Sequence, residues 1–215
     1  MENRSNNKNA AWIALGLTIL VGGVFQLLGK ILSPDTTKFI AYPLEALFTL
    51  VFCGLVGYFF LRKEFLEQFK HFKWSVLLWG VPLTFATSFL FGQLYTYLVG
   101  PTTENVAVIS FSLLLRMPFM LMGEELISTN VMIALQKKGW SFPLASIACG
   151  VLFAIWHIPA YGFVPLQLLM TIMLPRLALN YIWKKSNSVW VSWLCHYLFD
   201  SIPMLIILVL RPLVN

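Results

Sequence analysis

Charge is what this sequence has least of. Fifteen Lys and Arg with nine Asp and Glu make up 11% of its 215 residues, against about 25% in an ordinary soluble domain. Apolar residues fill 59%, so water is not the main solvent of the folded chain. Histidine occurs only three times, and no HExxH zinc-protease motif is present. Cysteine also occurs three times, at Cys53, Cys149 and Cys195, each inside an apolar run. An odd number so placed excludes a disulfide framework and suits small buried hydrophobes. No polar stretch is long enough for a separate soluble domain, so the chain reads as one membrane domain.

What is present is a series of apolar runs, each near the ~20 residues needed to cross a hydrocarbon core. Spans are expected at 11–28, 39–61, 74–99, 105–136, 142–160, 164–183 and 188–210. Each is apolar around most of its circumference, as a helix in lipid is when it satisfies its own backbone polar groups. Barrel strands would alternate, and these do not. The expected fold is therefore all-α, a polytopic transmembrane helix bundle of about seven spans. The first run follows a polar start (MENRSNNKN). It exceeds the apolar core of a secretory signal and lacks a small-residue cleavage site, so it reads as a retained span.

Threading these spans with the N-terminus inside places Arg4, Lys8, Arg62, Lys63, Lys70, Lys73, Lys137, Lys138, Lys184 and Lys185 on the inner face. Lys30, Lys38 and Arg211 remain outside, while Arg116 and Arg176 lie within spans. That asymmetry follows the positive-inside rule and accounts for the net charge of +6 without a nucleic-acid partner. The inner loop 62–73 interleaves Phe65, Leu66, Phe69 and Phe72 with cations, a pattern suited to an anionic membrane surface. His71 belongs to that loop and reads as a surface residue. The run 105–136 is too long for one straight crossing, and Pro118 is expected to break it ahead of a helix carrying Glu124.

Glu45, Arg116, Glu124, Glu125, His157, Arg176, His196 and Asp200 all fall within expected spans. An ionisable group at mid-membrane costs about 2.5–3.5 kcal/mol on insertion scales, so eight facing lipid would cost on the order of 20 kcal/mol. They must be paired or hydrated. Counting 1.5 Å per residue from Lys137, Lys185 and Ser141 puts Glu124, His196, Asp200 and His157 at depths of roughly 20, 16, 22 and 24 Å. Three distant segments thus present acids and imidazoles at one level. His196 and Asp200 are four apart on one helix face, so the carboxylate is placed to orient the ring. Glu124 and Glu125 diverge by about 100°, so one faces such a centre and the other needs its own partner. Pro118, Pro159 and Pro203 stand near these residues and suit helices opened around a wet cavity. Taken singly, each group also fits a structural role: the glutamates pairing with Arg116 or Arg176, and His157 as a packed histidine beside Trp156.

In order, Glu124-Glu125-Leu-Ile-Ser-Thr129, Phe153-Ala-Ile-Trp-His157 and His196-Tyr-Leu-Phe-Asp200 resemble the EExxxR, FxxxH and Hxxx(N/D) motifs of a family of membrane-embedded proteases. That family includes the type II CAAX prenyl endopeptidases and the bacterial Abi proteins of bacteriocin immunity. The resemblance divides the chain into N-terminal transmembrane helices, 1–103, and a protease-like core, 104–202, within one membrane domain running to 215. Its arginine position holds Thr129, so Glu125 needs another cation, Arg116 or Arg176. Asp200 stands where some relatives have an amide.

The resemblance implies a multi-pass protein of a cell membrane, bacterial in the Abi relatives, acting on a membrane-associated peptide or protein. Glu124 would be the general base on a water also held by His157, and His196, oriented by Asp200, would stabilise the oxyanion. Glu125 and Phe153 would support them. Three alternatives stay open: a zinc site of Glu124, His157 and His196, a noncatalytic immunity or binding protein favoured by Thr129, and a transporter.

Overall fold

The computed structural model describes residues 2–31, 38–102 and 110–214. Among these there is no strand. The helices are α1 (Glu2–Ile31), α2 (Lys38–Val56), α3 (Lys63–Glu67), α4 (Trp74–Leu98), α5 (Phe111–Lys137), α6 (Phe142–Trp156), α7 (Ile158–Tyr161), α8 (Pro165–Leu168), α9 (Leu174–Ser186) and α10 (Val189–Val214). Five-residue π-helical turns, Gly57–Leu61 and Leu169–Met173, extend α2 and lead into α9. Asn187 ends α9 in the left-handed conformation (φ 53°, ψ 37°), which asparagine adopts at low cost and which lets α10 turn back at once.

The helix at the centre is α5. Every residue from Leu121 to Leu135 except Glu124 is buried, so this stretch meets protein on all sides and not lipid. α1, α2, α6 and α10 surround it. Residues from both sides of position 103 share one apolar core, among them Ala14, Cys53, Val56, Leu126, Val131, Phe153 and Trp183. Two glycines permit close helix approaches beside the polar residues. A side-chain carbon at Gly123 would come within 2.8 Å of the Leu50 backbone nitrogen, and one at Gly22 within 2.7 Å of the Trp156 ring. α2 therefore lies directly against α5 beside Glu124, and α1 against α6 beside His157.

Outward, the surface is apolar: Leu78 and Leu115 are each 76% exposed and Phe89 66%, as a lipid-facing surface requires. Four helices have the length and hydropathy to cross a membrane, Asn9–Leu28, Trp74–Leu98, Phe142–Tyr161 and Val189–Leu210, with a shorter apolar helix at Ala46–Leu61. The expected spans over α5 and α9 are missing from that set: α5 carries Arg116, Glu124 and Glu125, and α9 is only 13 residues long and follows a π-helical turn.

Of three local expectations, two change. Pro118 does not break its helix: α5 runs unbroken through it, starting at Ser110, whose hydroxyl accepts from the Leu113 N–H at 3.2 Å. The start of the expected span, 103–109, lies outside the described residues, as does the Glu45 side chain. The helix through 142–160 does interrupt, at His157, which closes α6 before the single turn of α7. The loop 62–73, finally, folds into the protein. The Phe65 ring lies over Gly57, buried Gln68 accepts from Trp183 Nε1 at 3.1 Å, and Phe69 packs edge-on to Trp190. Only Leu66 and Phe72 of its four apolar residues stay exposed. His71 is exposed and bonded to Glu67 at 3.0 Å.

Candidate active site

Adjacency on α5 sends the two glutamates to different partners. Glu125 is fully buried and meets Arg176 of α9 in a two-pronged ion pair, Nη1 to Oε1 at 2.5 Å and Nη2 to Oε2 at 3.0 Å. Arg176 is itself 1% exposed. Its Nε donates to Asn180 Oδ1 (3.1 Å), whose amide nitrogen donates to Ser146 Oγ on α6 (3.0 Å). Phe153 offers its ring to the guanidinium at 5.4 Å, a cation–π contact. The cation missing at position 129 is thus delivered from α9, and the network ties α5, α6 and α9 together around it.

Glu125 also fixes the imidazole of His196 on α10. Nδ1–H donates to Glu125 Oε1 at 2.9 Å, which in the neutral ring leaves the lone pair on Nε2. Nε2 faces Asp200 Oδ2 at 3.4 Å and Glu124 Oε2 at 3.9 Å. The expected orienting contact from Asp200 is therefore the longer one, on the other nitrogen. Asp200 lies on the same helix face one turn on and is 29% exposed. The four-residue spacing pointed to Asp200, and no sequence signal pointed to Glu125 as the closer partner of the ring.

His157 is held by its own helix. Its Nδ1–H donates to the Phe153 carbonyl at 2.7 Å, a geometry available because α6 ends at that residue, and Nε2 is left as an acceptor. His157 and Glu124 line one cavity together with Gly22, Phe25 and Gln26 of α1 and Trp156. Its volume is about 10 Å³, near the ~10–15 Å³ at which one water fits. The α1 residues were not singled out in the sequence. An amide inside the first apolar run, Gln26, is the signal that could have pointed to them.

Among the described residues no group of three His, Cys, Asp or Glu side chains is arranged to hold a metal ion. Both histidines bond through Nδ1, one to a carboxylate and one to a carbonyl, which leaves Nε2 of each ring facing the centre.

An all-helical bundle with acids and imidazoles gathered inside it defines an integral membrane protein with an enclosed polar centre. The family model described as Type II CAAX prenyl endopeptidase Rce1-like matches residues 105–202, the segment that carries every motif above. Residues 105–202 are thus similar to the CAAX-type intramembrane proteases. No curated protein matches the chain, and no solved structure does.

Proposed function

We propose that this protein is an intramembrane endopeptidase that hydrolyses a peptide bond of a membrane-associated protein or peptide with a water activated by Glu124. The observation that carries the reading is that Glu124 and His157 share a cavity of one water's size, with Glu124 3.9 Å from His196 Nε2. A water there gives one hydrogen to the Glu124 carboxylate and the other to the His157 Nε2 lone pair, leaving an oxygen lone pair for the substrate carbonyl. Glu124 takes the proton and returns it to the leaving amine.

His196 is the nearest group able to meet the oxyanion, because Glu125 holds its other nitrogen and a protonated Nε2 donates toward Glu124's side. An ionised Asp200 has no proton to donate to an oxyanion. Gln26 adds a neutral amide to the cavity wall. The noncatalytic reading rested on Thr129, and the ion pair from Arg176 removes that support.

The test is Glu124→Gln in the full chain, reconstituted in lipid nanodiscs with membrane-anchored peptides. Cleavage should disappear with helicity and thermal midpoint unchanged. Turnover by the folded variant would overturn the proposal.

A further inference from the structure

A second cavity, of about 360 Å³, opens where α5 and α9 end. It lies 13 residues along α5 from Glu124, about 20 Å away, and its volume falls in the ~300–1,000 Å³ range of small-ligand sites. The walls are Glu64 and Glu67 from α3, Gln136 and Lys137 from the last turn of α5, and Trp183 and Lys184 from the last turns of α9.

The charges in these walls are of both signs and sit on different sides. Glu64 and Glu67 face the carbonyl ends of two helices, so this side attracts a cation. Lys137 already answers Glu64 at 2.7 Å, whereas Lys184 rests over the Phe142 ring at 5.8 Å with a charge free to take an anion. The Gln136 amide nitrogen has no hydrogen-bond partner. Hydrogen bonds from Lys70 and His71 hold the Glu67 carboxyl below its usual range, so it stays ionised at neutral pH.

The level of the cavity is marked by tryptophans. Trp12, near the start of the apolar span Asn9–Leu28, and Trp74, Trp140 and Trp190, at helix ends or in the adjoining turn, are between 39% and 68% exposed. Lys138 lies over the Trp12 ring at 4.6 Å. Exposed tryptophan beside lysine is the composition of a membrane–water interface, and the bias in Lys and Arg makes this the inner one. The cavity therefore lies among lipid headgroups.

We propose that it binds the headgroup of an aminophospholipid, with the phosphate on Lys184 and the Gln136 amide and the primary ammonium on Glu64 and Glu67. Choline in place of the ammonium has no N–H to donate to the carboxylates. Phosphatidylglycerol would bring its negative charge to the acidic wall without a cation.

The full chain should be placed in nanodiscs of phosphatidylcholine alone, or with equal fractions of phosphatidylethanolamine or phosphatidylglycerol. Phosphatidylethanolamine is expected to raise the thermal midpoint by about 2–4 °C over phosphatidylcholine and to remain on the chain at one copy in native mass spectrometry. Lys184→Ala and Glu64→Gln should each lose that increment, while Lys184→Arg keeps it. Equal increments from the two added lipids, or an increment that survives both variants, would overturn the proposal. So would soluble glycerophosphoethanolamine reproducing the whole effect in phosphatidylcholine nanodiscs.

Discussion

Arg176 and Glu125, 51 positions apart, form a two-pronged ion pair sealed from solvent at 2.5 and 3.0 Å. Breaking one partner of such a pair leaves an uncompensated buried charge and costs about 3–5 kcal/mol. Arg176→Ala should therefore destabilise the bundle by that order in reversible unfolding. Thr129→Arg, one turn after Glu125 on α5, should recover part of the loss and part of the activity. A double mutant no better than Arg176→Ala would show that the cation must come from α9.

Neighbouring glutamates should behave differently when each is made an amide. Glu124→Gln changes a group lining a water-sized cavity and should shift the thermal midpoint by less than about 2 °C. Glu125→Gln strips the anion from both Arg176 and His196 and should lower stability and turnover together. Thermal unfolding and single-turnover cleavage, run side by side, separate the two residues.

Gln26 brings an amide to the cavity from outside the segment the family model matches. Gln26→Leu should lower kcat by about 100- to 1,000-fold, the range for one lost donor to developing charge, with KM little changed. An effect confined to KM would assign the residue to substrate binding.

Packing at the site depends on Gly123 having no side chain. Gly123→Ala places a carbon 2.8 Å from the Leu50 backbone nitrogen, and α2 must shift. The expected cost is about 1–3 kcal/mol, with a fall in activity because Glu124 is the next residue. Urea or thermal unfolding alongside the cleavage assay measures both.

On α3, Glu67 is held below the ordinary carboxyl range by hydrogen bonds from Lys70 and His71. A depressed carboxyl contributes stability that is present above its unfolded value and lost as pH falls through the folded one. Glu67→Gln should therefore be slightly less stable than the parent near neutrality and converge with it below about pH 4. Midpoints measured across the acid range check the sign.

The membrane class was legible because solvation acts on every residue: apolar runs at ~20-residue length have few other uses. The three motifs were legible because spacing within a helix fixes which residues share a face. Partner choice was not. Whether Glu125 meets Arg116 or Arg176 is decided by how α5 packs on α9, a relationship with no period in the sequence. Gly22 and Gln26 were silent for the same reason, since an isolated small or amide residue in an apolar run has many meanings. Pro118 misled because a proline inside an embedded helix is tolerated when neighbours enclose it. Phe65 and Phe69 misled because alternation of aromatics with lysines suits either a bilayer surface or the underside of a protein.

The path of the polar network sets when the chemistry becomes possible. A chain whose α9 and α10 have yet to enter the bilayer already holds Glu124, His157 and Glu125, but neither the guanidinium nor the second imidazole. Such an intermediate lacks an organised centre while it is still passing its unfolded neighbours, so competence arrives only with the final insertion step.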